Sequence, residues 1–305
     1  MLPPIIQGVL NTSISEGLVY AFVTIGVFLT FRVLAFPDLT VDGSFVVGGS
    51  IVALMIHVGG YNPFLATIAA FMGGLAAGSI TGLLNTKLRL PALLAGILMM
   101  VGLYSVNLLI MGRPNTPMLR DITIFDSVAS WFGMERSTLL VIIVFAVIAF
   151  IVFMVLNWFL RTEIGLTLRA TGDNEQMVRS LGVDTDKNIL LGCSISNGLV
   201  ALSGALVAQN QQFCDVNMGV GMIVMGLAAV IIGEALVHPR GVASMLLAAF
   251  AGTFLYRLFI TIALRLGLAP GNLKLITALL VIIALAIPYI QKKLRHEWMP
   301  PAVRW

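Results

Sequence analysis

The sequence predicts an all-α fold, a polytopic transmembrane helical bundle of roughly 8–10 spans with one short helix in a cytoplasmic loop. Hydrophobic residues make up 59% of the 305 residues and charged residues only 10%, and the mean hydropathy is +1.00. Soluble domains are about 45–50% apolar and about 25% charged. A soluble chain of this composition would lack the polar side chains needed to cover its surface. We therefore treat residues 1–305 as a single transmembrane domain.

The apolar runs are long enough to cross a bilayer as helices, which takes about 20 residues each. The first run is long for one straight span and contains Glu16, so it is either one tilted helix or an interfacial helix followed by a span at 17–34. The glycine-rich run at 217–237 is a candidate for a broken or re-entrant element. The nine candidate spans are 5–31, 42–59, 63–84, 91–111, 137–160, 189–211, 217–237, 241–264 and 272–291.

The distribution of lysine and arginine predicts the orientation, because cytoplasmic loops are enriched in both. With the C-terminal tail inside, the cytoplasmic side holds Arg32, Lys87, Arg89, Arg161, Arg169, Arg179, Lys187, Arg240, Lys292, Lys293, Arg295 and Arg304. The outer side holds Arg113, Arg120, Arg136, Arg265 and Lys274. This asymmetry predicts an outside N-terminus and a cytoplasmic C-terminus.

Common sequence motifs of nucleotide-binding, metal-binding and catalytic sites are missing from the sequence. It contains no P-loop, no H-E-x-x-H, no C-x-x-C and no G-x-S-x-G. Its three histidines lie far apart, and its two cysteines form no disulfide framework or metal spacing. We therefore predict no catalytic residue and no metal site, and we interpret the net charge of +4 as a topology signal rather than a nucleic-acid signal.

The loop at 161–188 is the one long charged stretch. Asp173 is a predicted N-cap with Gln176 three residues later, and Gly182 is a predicted C′ residue. One face of the intervening two turns carries Met177, Val178 and Leu181. Two turns are too few to be stable alone, so this helix needs a partner surface. A socket in another protein and a layer of lipid headgroups both remain possible at this point.

Several stretches together point to a family. The loop runs from Gly165 through Leu-Arg-Ala-Thr-Gly-Asp-Asn to Leu-Gly-Val at 181–183. The chain then contains Ser194-Ile-Ser-Asn-Gly-Leu-Val-Ala-Leu-Ser-Gly-Ala-Leu-Val-Ala-Gln209, Gly219-Val-Gly-Met and Ala228-Ala-Val-Ile-Ile-Gly-Glu234, and its first half contains Phe36-Pro-Asp-Leu-Thr-Val-Asp-Gly-Ser-Phe45. Over nearly the whole chain this combination resembles the permeases of ABC importers for branched-chain amino acids, ribose and related solutes. It is most similar to a one-permease branch linked to tryptophan, tyrosine or other amino acids.

The resemblance implies a non-enzymatic permease of the bacterial inner membrane, driven by alternating access. Its implied partners are a second permease subunit, in a homodimer, two cytoplasmic ATPase subunits, an external solute-binding protein and membrane lipid. ATP and Mg²⁺ would bind the ATPase, and this chain would hold no cofactor. The implied solute is an amino acid, of the aromatic class, with a sugar or nucleoside as the alternative. The residues that would couple to the ATPase are Arg169, Gly172, Asp173, Asn174, Met177 and Leu181.

Polar side chains in spans are costly and tend to face the bundle interior or a water-filled cavity. The candidates in or near the spans are Glu16, Asn107, Asn197, Gln209, Asn210, Gln211, Asp215 and Glu234. Asn107 and Asn197 could instead hydrogen-bond across helices. The 209–215 stretch could be an outer helix end in headgroups or against the binding protein. Glu234 precedes His238 by one turn and lies near Arg240, which favours a local ion pair over a substrate contact.

A helix break is predicted near Pro37, which has no N–H and disfavours helix at the residue before it. Asp42 would then cap the next helix, unless this broken element lines the path. Glycines spaced by four at positions 74, 78 and 82 predict a close-packing helix face. The predicted translocation-path residues are Asp38, Asp42, Asn107, Asn197, Gln209 and Asp215.

Two other classes of protein fit less well. A secondary transporter would need in-membrane ion or proton sites and often has inverted repeats, and no such repeat is evident in the sequence. A membrane-embedded enzyme would need a catalytic constellation, and none is evident either.

Overall fold

The computed structural model describes residues 4–119, 121–267, 275–279, 282 and 286. Two short strands, β1 (Asn115–Pro117) and β2 (Phe213–Asp215), pair antiparallel with Thr116 opposite Cys214. The rest of the regular structure is helical, with two π-helical stretches at Phe28–Val33 and Leu54–Val58. The α-helices are α1 (Pro4–Val27), α2 (Thr40–Ala53), α3 (Pro63–Thr86), α4 (Ala92–Met111), α5 (Ile124–Trp131), α6 (Thr138–Phe159), α7 (Glu163–Asp173), α8 (Glu175–Ser180), α9 (Thr185–Gln211), α10 (Met222–Val237) and α11 (Val242–Arg265).

Seven helical segments of the described chain are long and apolar enough to cross a membrane, which confirms the helical membrane bundle. They correspond to seven of the nine predicted spans and lie at Gln7–Val33, Thr40–Val58, Pro63–Thr86, Ala92–Met111, Thr138–Phe159, Thr185–Gln211 and Val242–Arg265. The first is one continuous helical segment rather than an interfacial helix plus a span. The predicted span at 272–291 and the C-terminal cations lie largely outside the described residues.

Local sequence explains where several spans begin and end. The Asn62 side chain accepts a hydrogen bond from the backbone N–H of Phe64, and Pro63 occupies the first turn of α3, where a missing N–H costs nothing. Ser137 caps α6 in the same way through the N–H of Leu140. Gly112 ends α4 with a φ of 68°, a conformation that suits glycine.

The glycine-rich face of α3 packs against α9, as the spacing predicted. A Cβ atom at Gly78 would lie 2.7 Å from the carbonyl carbon of Cys193, and one at Gly82 would lie 2.9 Å from the Cα atom of Leu190. Only glycine allows this approach of two backbones, and dispersion contacts then hold the helices together. These glycines are therefore packing residues.

The bundle has two distinct ends. At the strand end, β1 and β2 lie with α5 and the turn after α2, where His57 Nδ1 and Asp121 Oδ2 are 2.8 Å apart. At the α7–α8 end, Thr171 and Asn188 are hydrogen-bonded and Arg32 pairs with Glu234. The described loops that were predicted to be cytoplasmic thus lie together at the α7–α8 end.

Candidate functional site: an interior cavity and a two-helix loop

The link between α1 and α2, residues 34–39, turns back into the bundle interior. Asp38 is fully buried there. Its carboxylate accepts hydrogen bonds from the backbone N–H of Thr40 (2.9 Å) and from Nδ2 of Asn197 (2.6 Å), and Ser44 Oγ donates to Asn197 Oδ1 (2.7 Å). Asn197 lies near the middle of α9. The break predicted in this stretch is therefore confirmed, and it lies at mid-depth of the bundle.

The capping role predicted for Asp42 is wrong. Asp42 does not cap its own helix, because Asp38 accepts the N–H of Thr40 at the start of α2. The Asp42 carboxylate instead accepts hydrogen bonds from the backbone N–H groups of Gly221 (3.0 Å) and Ile223 (2.8 Å). These N–H groups have no partner within α10, and they form its positive end. Asp42 therefore ties α2 to the start of α10.

α10 is a half-length element. Its 16 residues span about 24 Å, less than the ~30 Å of a bilayer core. The chain before it, residues 216–221, is not a regular helix and packs along α2, where Met218 lies over Gly49. The chain runs from the strand end through residues 216–221 and α10 to Glu234 at the α7–α8 end, so of the two alternatives for the 217–237 run the fold adopts the broken element.

A cavity of about 440 Å³ opens between α2, α4 and the segment before α10. Among the residues that line it are Asp42, Tyr104, Ser105, Asn107, Val216 and Val220. Non-helical backbone at membrane depth is tolerated where it lines a cavity. Two of the six predicted path residues, Asp42 and Asn107, meet here.

The amide groups of two predicted path residues are already engaged across helices. Asn107 Nδ2 donates to the carbonyl of Gly43 (3.1 Å), and its Oδ1 accepts from Ser50 Oγ (3.2 Å). Asn197 bonds Asp38 and Ser44 as described above. The helix-bridging interpretation thus describes both side chains, although Asn107 also borders the cavity.

Gln209 and Asp215 lie at the strand end and are not among the residues that line this cavity. Gln209 is fully buried, donates from Nε2 to Thr67 Oγ1 (2.8 Å) and accepts the N–H of Ile124 at the start of α5 (3.0 Å). The headgroup location considered for it is therefore wrong. Asp215 accepts from Asn115 Nδ2 (3.2 Å) beside the strand pair.

The 161–188 loop contains two helices rather than the predicted one. Asp173 is the last residue of α7 and not an N-cap, because helix continues up to it. Asn174 is the N-cap of α8, where its side chain accepts the N–H of Met177 (2.9 Å). Gly182 follows α8 with a φ of 83°, as predicted for a C′ residue.

The predicted apolar face of α8 is divided. Val178 is buried, whereas Met177 is 51% exposed and Leu181 is 73% exposed. Met177 and Leu181 thus form an apolar tip at the α7–α8 end that the described residues do not cover.

α7 packs closely against the end of the first span. A Cβ atom at Gly172 would collide with the carbonyl oxygen of Val33, and it would lie 2.9 Å from the Leu34 Cα atom. Thr171 Oγ1 accepts a hydrogen bond from Asn188 Nδ2 of α9 (2.8 Å). A displacement of α7 would therefore act directly on the π-helical end of the first span, on the α1–α2 link and on α9.

Comparison with known proteins identifies the family. Residues 9–286 match the family described as the permease component of branched-chain amino acid transport systems. The chain belongs to this family. It is 40% identical over 272 residues to a tyrosine transport system permease protein of Clostridioides difficile, an alignment that covers 89% of this chain and 88% of that one.

More distant relatives fit the same family. An uncharacterized protein of Rickettsia prowazekii is 35% identical over 92% of this chain and 98% of its own length. A ribose import permease of Escherichia coli is 26% identical over 74% of this chain and 66% of its own length. No solved structure matches the chain significantly. The chain is a multi-pass permease component of an ABC importer, and ATP hydrolysis belongs to separate ATPase subunits.

Sequence reasoning missed an ion-pair cluster that holds α8 of the permease in place. Arg179 bonds Glu175 (2.9 Å) within α8 and Asp186 (2.6 Å) in the first turn of α9, and its Nε donates to Thr185 Oγ1 (2.6 Å). Arg89, from the α3–α4 loop, also reaches Asp186 (3.4 Å). Networks of charges hold geometry better than isolated surface pairs do. No local sequence pattern links Arg89 to this cluster.

Two acidic residues form ion pairs with residues far away in the sequence. Glu234 pairs with Arg32 of the first span (2.8 Å) and not with His238. Glu16 lies 3.4 Å from Arg257 of α11. Both pairs join the first span to a distant part of the chain, which a sequence window cannot detect.

Proposed function

We propose that this permease works as a homodimer in the bacterial inner membrane and moves an amino acid of the aromatic class into the cell by alternating access. The tyrosine transport permease at 40% identity supports the choice of solute. The ribose import permease, at 26% identity, supports a sugar only at greater distance. An external binding protein would deliver the solute, and ATP and Mg²⁺ would bind the partner ATPases.

The charge distribution supports a cytoplasmic α7–α8 end. Described cations at that end are Arg32, Lys87, Arg89, Arg161, Arg169, Arg179, Lys187 and Arg240, whereas those at the strand end are Arg113, Arg136 and Arg265. Excess lysine and arginine marks the cytoplasmic side. The strand end would then face the binding protein, and the N-terminus would lie outside and the C-terminus inside.

The exposed apolar tip of α8 is the observation that carries the mechanism. Met177 and Leu181 project from a helix that Arg179 fixes to α9. We expect a groove of the ATPase to bind this tip and the adjoining residues Arg169, Gly172, Asp173 and Asn174. Movement of the ATPase would then move α7 and α8 as one body. Contacts of α7 with the first span and α9 would then pass the motion to the membrane helices.

The cavity beside Asp42 is our candidate for this subunit's share of the path. It borders the start of α10, which is held by two hydrogen bonds to α2 rather than by a continuous helix. A half-helix with such an attachment can change position at small cost, which alternating access requires.

The test uses the permease with its ATPase and binding protein in proteoliposomes. Met177→Glu with Leu181→Glu should abolish co-purification of the ATPase, and Arg169→Ala or Asp173→Ala should uncouple uptake from ATP hydrolysis. Leu88→Glu is the matched control, because Leu88 is 63% exposed at the same end but outside the two-helix loop. Unchanged coupling in all the loop variants would refute the mechanism. A binding protein that takes ribose and ignores tyrosine would refute the choice of solute.

A further inference from the structure

Arg257 is a cation in the middle of an apolar membrane helix. It lies in α11, eight residues before that helix ends at Arg265, and its side chain is only 14% exposed. Ionisable residues at membrane depth are rare, and most of them serve a function. The charged group of Arg257 is therefore expected to have a specific binding role.

The described residues meet only part of the hydrogen-bonding capacity of this guanidinium. Its central carbon lies 3.4 Å from the centroid of the Tyr20 ring. Its Nη1 reaches Glu16 Oε2 at 3.4 Å, near the outer limit of a hydrogen bond. Its Nε is buried and has no hydrogen-bond partner among the described residues. A guanidinium has five N–H donors, and a buried donor without an acceptor is costly.

The same side chain opens on a cavity. A space of about 400 Å³ is lined by Arg257 and Tyr256 of α11 and by Gly221, Met222 and Met225 at the start of α10. Ligand pockets are of this kind, mostly apolar with a few placed polar groups, and about 300–1,000 Å³ in volume. Val220 borders both this cavity and the one beside Asp42. The two cavities therefore flank the non-helical segment that precedes α10.

We propose that Arg257 is the subsite for the carboxylate of the transported amino acid. The planar fork of arginine can bind a carboxylate through two parallel N–H···O bonds, and the proposed solute carries a carboxylate. The apolar and aromatic wall beside it suits a hydrophobic amino acid side chain. The Tyr20 ring holds the guanidinium in place, and the long contact with Glu16 leaves N–H donors for the solute. This inference rests on the proposed function, because it assumes that the solute carries a carboxylate.

The rival explanation is that Arg257 serves only as the ion-pair partner of Glu16. Three variants separate the two explanations: Arg257→Gln, Glu16→Gln and the double variant. If the pair is structural, both single variants fail alike because each leaves one buried charge unpaired, and the double variant recovers. If Arg257 is a subsite, Glu16→Gln keeps uptake while Arg257→Gln and the double variant both lose it.

The experiment measures uptake of radiolabelled amino acids and of ribose per ATP hydrolysed in the reconstituted complex, with thermal unfolding of each variant as the folding control. We expect Arg257→Gln to lower amino acid uptake roughly tenfold or more, while ATPase stimulation by the loaded binding protein stays unchanged. Equal losses in the two single variants with recovery in the double variant, or full uptake in Arg257→Gln, would overturn the subsite alone. Uptake of ribose and of no amino acid by the unaltered permease would overturn both proposals.

Discussion

Replacing Gly48 by alanine should disrupt the packing of α2 on α9. We expect it to destabilise the protein more than the other glycine-to-alanine changes described below. A Cβ atom at Gly48 would overlap the carbonyl oxygen of Ala201 and would lie 2.6 Å from its carbonyl carbon and 2.8 Å from its Cα. Ordinary contact begins near 3.4 Å, so the helices must separate by at least 3.4 − 2.6 = 0.8 Å. Both contacting groups are backbone, and no side chain can rotate away to relieve them.

That separation has two costs. Overpacking of this kind costs about 1–3 kcal/mol. One turn away, the Ser44 Oγ to Asn197 Oδ1 hydrogen bond would lengthen from 2.7 Å towards 3.5 Å, and losing it costs about 1 kcal/mol more. The total, about 2–4 kcal/mol, should lower the unfolding midpoint by roughly 5 °C or more.

Thermal unfolding of the purified permease in detergent measures this shift. The matched control is Gly102→Ala in α4, because nothing lies within 4 Å of a Cβ atom there. In that open helix position alanine should stabilise by about 0.5–1 kcal/mol. If Gly48→Ala unfolds at the same temperature as Gly102→Ala, the close packing of α2 on α9 is not what the structure describes.

Three further predictions concern other contacts. Gly172→Ala should push α7 away from the first span and lower the solute taken up per ATP hydrolysed severalfold, although the complex still assembles normally. Coupled transport measures this ratio, and an unaltered ratio would contradict the prediction. Asp42→Asn should weaken the cap on α10 by roughly 1–2 kcal/mol, because a charged acceptor becomes neutral, and an unchanged unfolding midpoint would count against that role. Cys214 should resist maleimide at pH 8, because burial raises the pKa of its thiol to about 12; reaction in the native protein as fast as in denatured protein would exclude this environment.

The sequence predicted the elements whose signal is local. Long apolar runs predicted seven of the described spans, since each run alone satisfies the length and hydropathy that a bilayer demands. The glycine spacing in α3 predicted a packing face, and Gly182 predicted the end of α8. Family motifs in the 161–188 loop predicted the transporter class, which the match over residues 9–286 confirmed.

What the sequence determined by itself was therefore membrane insertion, helix positions and family. Only the tertiary structure decided which polar groups meet: Asp42 on the start of α10, Arg179 between α8 and α9, and Arg257 against Tyr20. The physical reason is that burial drives each apolar run into the membrane independently of its neighbours. A buried polar group instead needs a specific partner, and here that partner often lies far away along the chain, 181 residues in the case of Asp42 and Ile223.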